Sequence, residues 1–479
     1  MTSDQSGALL ELNWDNVFGD YSIKSTTSYR DWDNQTLEDG VLRLPLDLLS
    51  RRSDYTSSAV SQEFQLISPV DEFYDFVAGV YFYQEDYTID QTFNLGPAFC
   101  PVAVSAALSG APAAVIQGTV SACSSMPQAN ATPADFDQTT KSLAAYYQGT
   151  WHVNSQFDIT AGIRYTSDDK EATMVVSPNN LVAGSFVAGA EDHKLDFSDS
   201  QVTWLLNSKY QINDDLMVFG TLSTGFKSGG FNSVMTTNGL TADQRTIDSE
   251  EVNNYEVGVK STLLDGMMTA NATLFRTDID NYQDRSFKGL SFITSNVGEL
   301  RQQGLELETN IYLSDELTMR ASYAYLDSAF LDYQDATNLP GIPGTQDLTG
   351  TPNNRSPKNQ VSVFAEYADT LSNTNLGWYA RIESNWIDDS NIGSTTNNNP
   401  QDIQEAYALT NMRLGLTDEN EKWNVQLYIE NVADKAYCLN TFNQPFGAQF
   451  GTVSNGGTLV RCVMGTPRTF GLRASYHFE

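Results

Sequence analysis

The chain has 479 residues, with 60 Asp plus Glu against 27 Lys plus Arg and a formal net charge of −33. That balance excludes a nucleic-acid backbone as partner, and 40% hydrophobic with 18% charged residues excludes both a disordered acidic chain and a bundle of membrane helices. No apolar run reaches the roughly 18 residues of a spanning helix, which leaves open a barrel, whose strands need only one apolar face.

Alternation with period two recurs along the whole chain. About 17 strand segments are predicted, at 7–14, 21–32, 57–67, 74–88, 139–152, 157–169, 198–210, 216–226, 249–261, 268–277, 299–312, 317–329, 358–368, 376–387, 405–416, 423–433 and 466–478. In one, Trp423, Val425, Leu427 and Ile429 alternate with Asn424, Gln426, Tyr428 and Glu430. In another, Leu376, Trp378, Ala380 and Ile382 stand opposite Gly377, Tyr379, Arg381 and Glu383. Most segments are longer than a globular strand and match a tilted strand crossing a bilayer.

The connections alternate in length. Tight turns such as Asn154-Ser155, Asn213-Asp214-Asp215, Leu264-Asp265-Gly266 and Ser314-Asp315-Glu316 are separated by long stretches at 33–56, 89–138, 170–197, 227–248, 278–298, 330–357, 388–404 and 434–465. A transmembrane antiparallel β-barrel of the bacterial outer membrane has this parity, with its tight turns in the periplasm. Composition does not shift along the chain, so one architecture is expected over 1–479. Aromatic residues near segment ends, Tyr81, Tyr83, Tyr87, Trp378 and Trp386, are expected in the interfacial girdles.

Cys100 with Cys123 and Cys438 with Cys462 each lie in a loop-like segment and read as short-range disulfides of an oxidising compartment. Free thiols are the alternative, and a tetrahedral metal site lacks CxxC spacing and nearby His. The run 220–228 nearly spells a phosphate loop, but Phe226 separates Gly225 from Lys227 and the pattern is that of a strand. His152, His193 and His477 have no partner at catalytic or zinc spacing, so no catalytic, cofactor or metal residue is assigned. Asp278, Asp280 and Asp284 are a candidate Ca²⁺ cluster but lack the Gly and the bidentate Glu of an EF-type loop, and the acidic pairs Asp168-Asp169 and Asp388-Asp389 read as solvated faces, with bridging through divalent cations to anionic lipid as the alternative. Arg164, Arg320, Arg381, Glu383, Arg413 and Glu430 alternate with apolar neighbours and are expected to line the lumen, because charge facing lipid costs roughly 2–4 kcal/mol at midplane.

Several stretches carry a family resemblance: Thr224-Gly225-Phe226-Lys227-Ser228-Gly229-Gly230-Phe231-Asn232, Asn254-Tyr255-Glu256-Val257-Gly258, Asn296-Val297-Gly298-Glu299 and Ile429-Glu430-Asn431-Val432-Ala433-Asp434. In their order and spacing they resemble the TonB-dependent outer-membrane receptors over nearly the whole chain. The resemblance implies a barrel of about 22 strands of which these are about 17, with signal peptide, TonB box, plug and the first strands expected upstream of Met1. It also implies no enzyme activity, energy from TonB and the inner-membrane complex, and import of a scarce nutrient, most often a ferric siderophore, so that iron arrives only as part of a transported chelate. Substrate-contacting residues are not assigned. The alternative is a plugless barrel remnant, inert or acting as a passive pore.

Overall fold

A computed structural model describes residues 1–39, 46–71, 73–237, 239–288, 291–339, 342–419, 422–443 and 460–478. The strands are β1 Thr2–Trp14, β2 Ser22–Glu38, β3 Leu49–Ile67, β4 Tyr74–Leu95, β5 Thr132–Asn154 and β6 Phe157–Val176. They continue as β7 Glu191–Asn213, β8 Leu216–Lys227, β9 Glu250–Leu263, β10 Met268–Asp280, β11 Glu299–Tyr312 and β12 Leu317–Asp332. The last are β13 Asn359–Thr370, β14 Leu376–Ile387, β15 Tyr407–Asp418, β16 Trp423–Glu430 and β17 Thr469–Tyr476. Together they form one 17-stranded sheet in which each strand pairs antiparallel with its chain neighbours. Each matches one predicted segment.

Register extends the alternation across the whole sheet. Leu274 opposes Val257 and Leu305, and Leu305 opposes Tyr325, while Met412 opposes Ile382 and Ile429 opposes Phe470. One face is therefore a continuous apolar band, and Leu143, Val257, Leu274 and Leu427 on it are more than half exposed. That face meets lipid, and the opposite face is turned inward. The tight turns gather at one end and the long connections at the other. In the turn at 264–266, Leu264, Asp265 and Gly266 all take positive φ, so the chain reverses within a few residues.

Several outer boundaries differ from the prediction. β5 begins at Thr132 and β7 at Glu191, earlier than 139 and 198, and β2 with β3 fills most of the stretch 33–56 read as loop. Beyond the bilayer both faces of a strand are wet, so alternation fades while backbone pairing continues. β16 instead stops at Glu430, because Asn431 takes φ 50° and its amide donates to Lys435 O (2.9 Å) and Thr466 O (3.1 Å), closing a turn.

The girdle expectation needs a correction. Tyr81, Tyr83 and Tyr87 alternate with outward Val80 and Phe82 and so belong to the inward face. Trp378 does join the aromatic cluster at the tight-turn end, beside Tyr367 (5.4 Å between centroids), together with Tyr74 and Trp151 (4.9 Å) and Phe76 and Tyr147 (5.3 Å). Tyr74 and Tyr147 also join through their hydroxyls.

Candidate functional site

At the long-connection end the inward face of β2–β5 is aromatic. Trp32 stacks on Tyr55 at 6.3 Å and 26°, and Tyr55 and Tyr87 pack beneath an apolar cluster containing Phe93, Phe99, Phe136 and Met174. Lower on the same wall, Arg164 lies over Tyr81 (5.9 Å) and Tyr146 (5.6 Å). The Tyr146 hydroxyl donates to Glu63 Oε1 and accepts from Gln65, both at 2.8 Å. Lys170 lies over Phe197 at 5.8 Å and donates to Gly229 O.

A disulfide-fastened cap roofs this wall. Residues 89–138, read as loop, contain a helix at Ala113–Ser125, joined to the turn at Phe99–Val104 by the Cys100–Cys123 disulfide. Asn180 caps the helix Leu181–Phe186 through Ala183 N (3.0 Å), and its amide donates to Cys123 O (3.0 Å), tying the next connection to the disulfide. The connection after β8 is held by Arg245, which is fully buried and pairs with Glu191 at 2.5 and 2.8 Å. Cys438–Cys462 fastens the hairpin Cys438–Asn443/Val460–Met464, and the remainder of 444–459 lies outside the described residues.

A second inward array lies on β12–β15. Arg381 bonds Glu366 (2.6 Å) and approaches Glu383 (3.8 Å), and Glu383 bonds Arg413 (2.6 Å). Arg320 and Arg381 both lie over Phe364, at 5.2 and 5.3 Å. Four of the six residues expected in the lumen thus meet in one ladder. Arg164 stands on the other wall, and Glu430 is apart with Thr469 (3.4 Å). Tyr55, Glu63, Tyr146 and Lys170 were not singled out from the sequence. An inward tyrosine cannot be told from a girdle tyrosine until its strand's register is fixed.

The acidic candidates do not converge. Asp278 is held by Arg276 (2.8 Å) and Arg301 (2.6 Å), whereas Asp284 is buried and accepts from Ser286 (2.7 Å), Tyr333 (2.8 Å) and Thr396 (2.7 Å). Burial, with the Asp284 carboxylate beside it, pushes the Tyr333 hydroxyl well above the usual phenol range. Asp168 and Asp169 point to opposite faces of β6, and Asp388 accepts from Asn359 (2.7 Å). His152 bridges Asp75 (2.7 Å) and Asp158 (2.9 Å) near the tight-turn end. Residues 220–227 are extended strand, with no phosphate-cradling loop.

The family model for the TonB dependent receptor-like β-barrel matches residues 1–432. A pesticin receptor of Yersinia pestis is 32% identical over 170 residues, covering 36% of this chain and 23% of that protein. A probable TonB-dependent siderophore receptor of Acinetobacter baumannii is 24% identical over 347 residues, covering 69% and 41%. The crystal structure of the ferric yersiniabactin uptake receptor of Yersinia pestis matches 100% of this chain and 61% of its own, at TM-score 0.72 and 19% identity. The siderophore receptor PiuA of Acinetobacter baumannii matches 98% and 64%, at TM-score 0.71 and 17% identity. The chain therefore spans less than two thirds of the length of these relatives.

Proposed function

The chain belongs to the TonB-dependent receptor-like β-barrel family, whose members are bacterial outer-membrane receptors rather than enzymes, and from that premise we propose that it serves TonB-dependent import of a ferric siderophore. The observation that carries this reading is the inward wall of Trp32, Tyr55 and Tyr87 beneath the disulfide-fastened cap. Aromatic faces on an inward wall receive a planar, conjugated chelate by stacking, at roughly 1 kcal/mol per ring pair beyond the area buried. The relatives support the same ligand class, since PiuA of Acinetobacter baumannii, similar both in sequence and in solved structure, is named as a siderophore receptor.

In this reading the Glu366–Arg381–Glu383–Arg413 ladder lines the space that a plug domain fills, and TonB acts on that plug from the periplasm. The barrel itself makes and breaks no bond. Iron is cargo within the chelate.

The test is ⁵⁵Fe uptake from a panel of ferric siderophores by a Gram-negative host stripped of its own receptors and expressing the gene, with and without tonB. Uptake from at least one chelate that disappears without tonB is expected. No uptake from any chelate, together with steady conductance of the purified protein in planar bilayers, would replace this reading by the passive pore.

A further inference from the structure

The stretch from Ile429 to Asp434 has no part in the function proposed above, yet it is tied to the segment before β17 by a dense knot of hydrogen bonds. β16 and β17 pair over eight rungs, from Glu430 opposite Thr469 to Trp423 opposite Tyr476. Beyond them the chain pairs again, where Gly465 N donates to Tyr437 O (2.9 Å) and the hairpin Cys438–Asn443/Val460–Met464 continues. Between the two ladders six residues, 431–436, stand on one side and three, 466–468, on the other. The surplus is folded into the turn that Asn431 closes. Its Oδ1 accepts from Lys435 N (2.9 Å), and its Nδ2 donates to Lys435 O (2.9 Å) and across to Thr466 O (3.1 Å). Asp434 adds a second crossing by accepting from Arg468 N at 2.9 Å.

The longer side is fastened to β15 at both ends. Asn431 N donates to Asn411 Oδ1 (3.0 Å) and Val432 N to Thr410 O (2.8 Å). Tyr437 stacks on Tyr407 at 4.9 Å, and its ring lies so close to Gly465 that a Cβ there would collide with it. The side able to lengthen is therefore 466–468, by drawing residues out of β17, which among the described residues pairs with β16 alone.

Lipid opposes an odd slip on its own. β17 turns Phe470, Leu472 and Tyr476 outward and Arg473 inward opposite Gln426, so a shift of one residue would carry Arg473 to the lipid face. A shift of two keeps every face: Leu472 would oppose Ile429 and Ala474 would oppose Leu427, apolar against apolar. That slip escapes the bilayer's control, although it displaces the Tyr476–Phe478 ring pair (4.8 Å between centroids) by about 6–7 Å along the strand.

We propose that Asn431 and Asp434 are positioning residues that set the register of β17: by holding the surplus residues in the turn and 466–468 short, they exclude the two-residue slip that lipid does not oppose.

The test reads register by copper-phenanthroline oxidation of paired cysteines in the full chain, with cross-linked peptides identified by mass spectrometry. Leu427→Cys with Leu472→Cys reports the native pairing, and Leu427→Cys with Ala474→Cys the slipped one. The wild-type knot is expected to give the first cross-link and little of the second. Asn431→Ala with Asp434→Ala should raise the slipped cross-link about tenfold relative to the native one. Deleting Val432–Asp434 from the Asn431→Ala chain removes the surplus and should restore the native pattern, a rescue that no general loss of folding produces. Heat-dependent electrophoretic mobility checks that each variant is folded. Should the double alanine variant not fold, Asn431→Asp, which keeps the acceptor for Lys435 N and loses both donors, is read in its place and should shift the ratio in the same direction. An unchanged cross-link ratio in the folded variants, or a deletion that does not restore it, overturns the proposal.

Discussion

The two halves of the long-connection end cover the barrel by different physics. Over β4–β9, the stretches 91–134, 172–190 and 228–242 contain no Asp, Glu, Lys or Arg in a chain that is 18% charged. They pack into a single apolar cluster running from Leu48 through Phe99 and Val187 to Met235, with one fully buried ion pair, Arg245–Glu191, at its border. Over β10–β15 the apolar cluster is smaller, Leu300, Phe330, Tyr333, Ala336 and Leu348, and the connections are joined by polar groups instead. Asp284 accepts hydroxyls from three segments, and Asn354 donates to Gly393 O (3.1 Å) and Thr395 O (3.0 Å). Apolar burial is non-directional and spreads its stabilisation over many contacts, whereas a hydrogen-bonded junction concentrates it on single acceptors. The first cap should therefore tolerate substitution except at its one ion pair, and the second should fail at individual atoms.

The largest expected effect tests that exception. Glu191→Ala strands the Arg245 charge in a site with no solvent, at a cost of about 3–5 kcal/mol. Hydrogen exchange across 228–247 should accelerate accordingly, while 91–134 stays protected. Equal loss over both stretches would mean that the ion pair and the apolar cluster form one cooperative unit. Opening the disulfides should come next, at about 3 kcal/mol each, because the closed spans of 23 and 24 residues are nearly equal. Their rates should differ. Cys100 and Cys123 are buried in the apolar cluster, whereas Cys438 and Cys462 are partly exposed, so alkylation during reduction should label Cys438 and Cys462 first. Labelling in the reverse order would show that the first cap opens as a whole.

Asp284→Ala probes the polar half at a smaller scale. It leaves the Ser286, Tyr333 and Thr396 hydroxyls without their acceptor, for about 2 kcal/mol. Limited proteolysis should then cut the connections after β10, β12 and β14 together. Cutting confined to 281–298 would show that the three connections are held independently.

How much of this was legible depended on where each residue sits relative to lipid. Strand segments such as 216–226 and 376–387 were readable because a bilayer imposes strict alternation on them, and the tight turns because their Asn, Asp and Gly residues have a conformational reason to be there. The Cys100–Cys123 and Cys438–Cys462 bonds were readable from their short spacing in loop-like segments. The face of Tyr81, Tyr83 and Tyr87 was not, since a tyrosine suits a membrane interface and an inner wall equally well and only register decides. The helix Ala113–Ser125 was missed because it is Ala/Ser-rich, carries no charge and shows weak amphipathicity. The absence of charge over 91–134 was a usable signal for that cap, since an unusually neutral stretch in an acidic chain needs an apolar environment. Asp284 was placed among candidate cation ligands because sequence shows a carboxylate but not the three hydroxyls that fold brings to it.

The smallest effect concerns acidity in the polar half. Asp402 is buried at the end of the connection that pairs with the Cys438–Asn443 strand, where Ser394 N donates to Thr441 O (2.8 Å) and Thr441 N to Ile392 O (3.2 Å). Burial pushes its carboxyl above the ordinary carboxylate range, and the Thr441 hydroxyl and Asn399 amide pull it only partly back. The closed arrangement therefore favours the protonated acid. Its contribution is fully present below the unfolded-state value of roughly 3.9 and is lost as pH rises through the higher folded value. Closure of residues 390–404 onto Thr441 should loosen on going from acid to neutral pH. Asp402→Asn keeps the shape without the charge, so it should remove that dependence and match the wild type at low pH. Hydrogen exchange of this segment, corrected for intrinsic pH dependence, reads the difference directly. A slope unchanged in Asp402→Asn would assign the dependence to another group and clear Asp402 as the titrating weak point of the polar half.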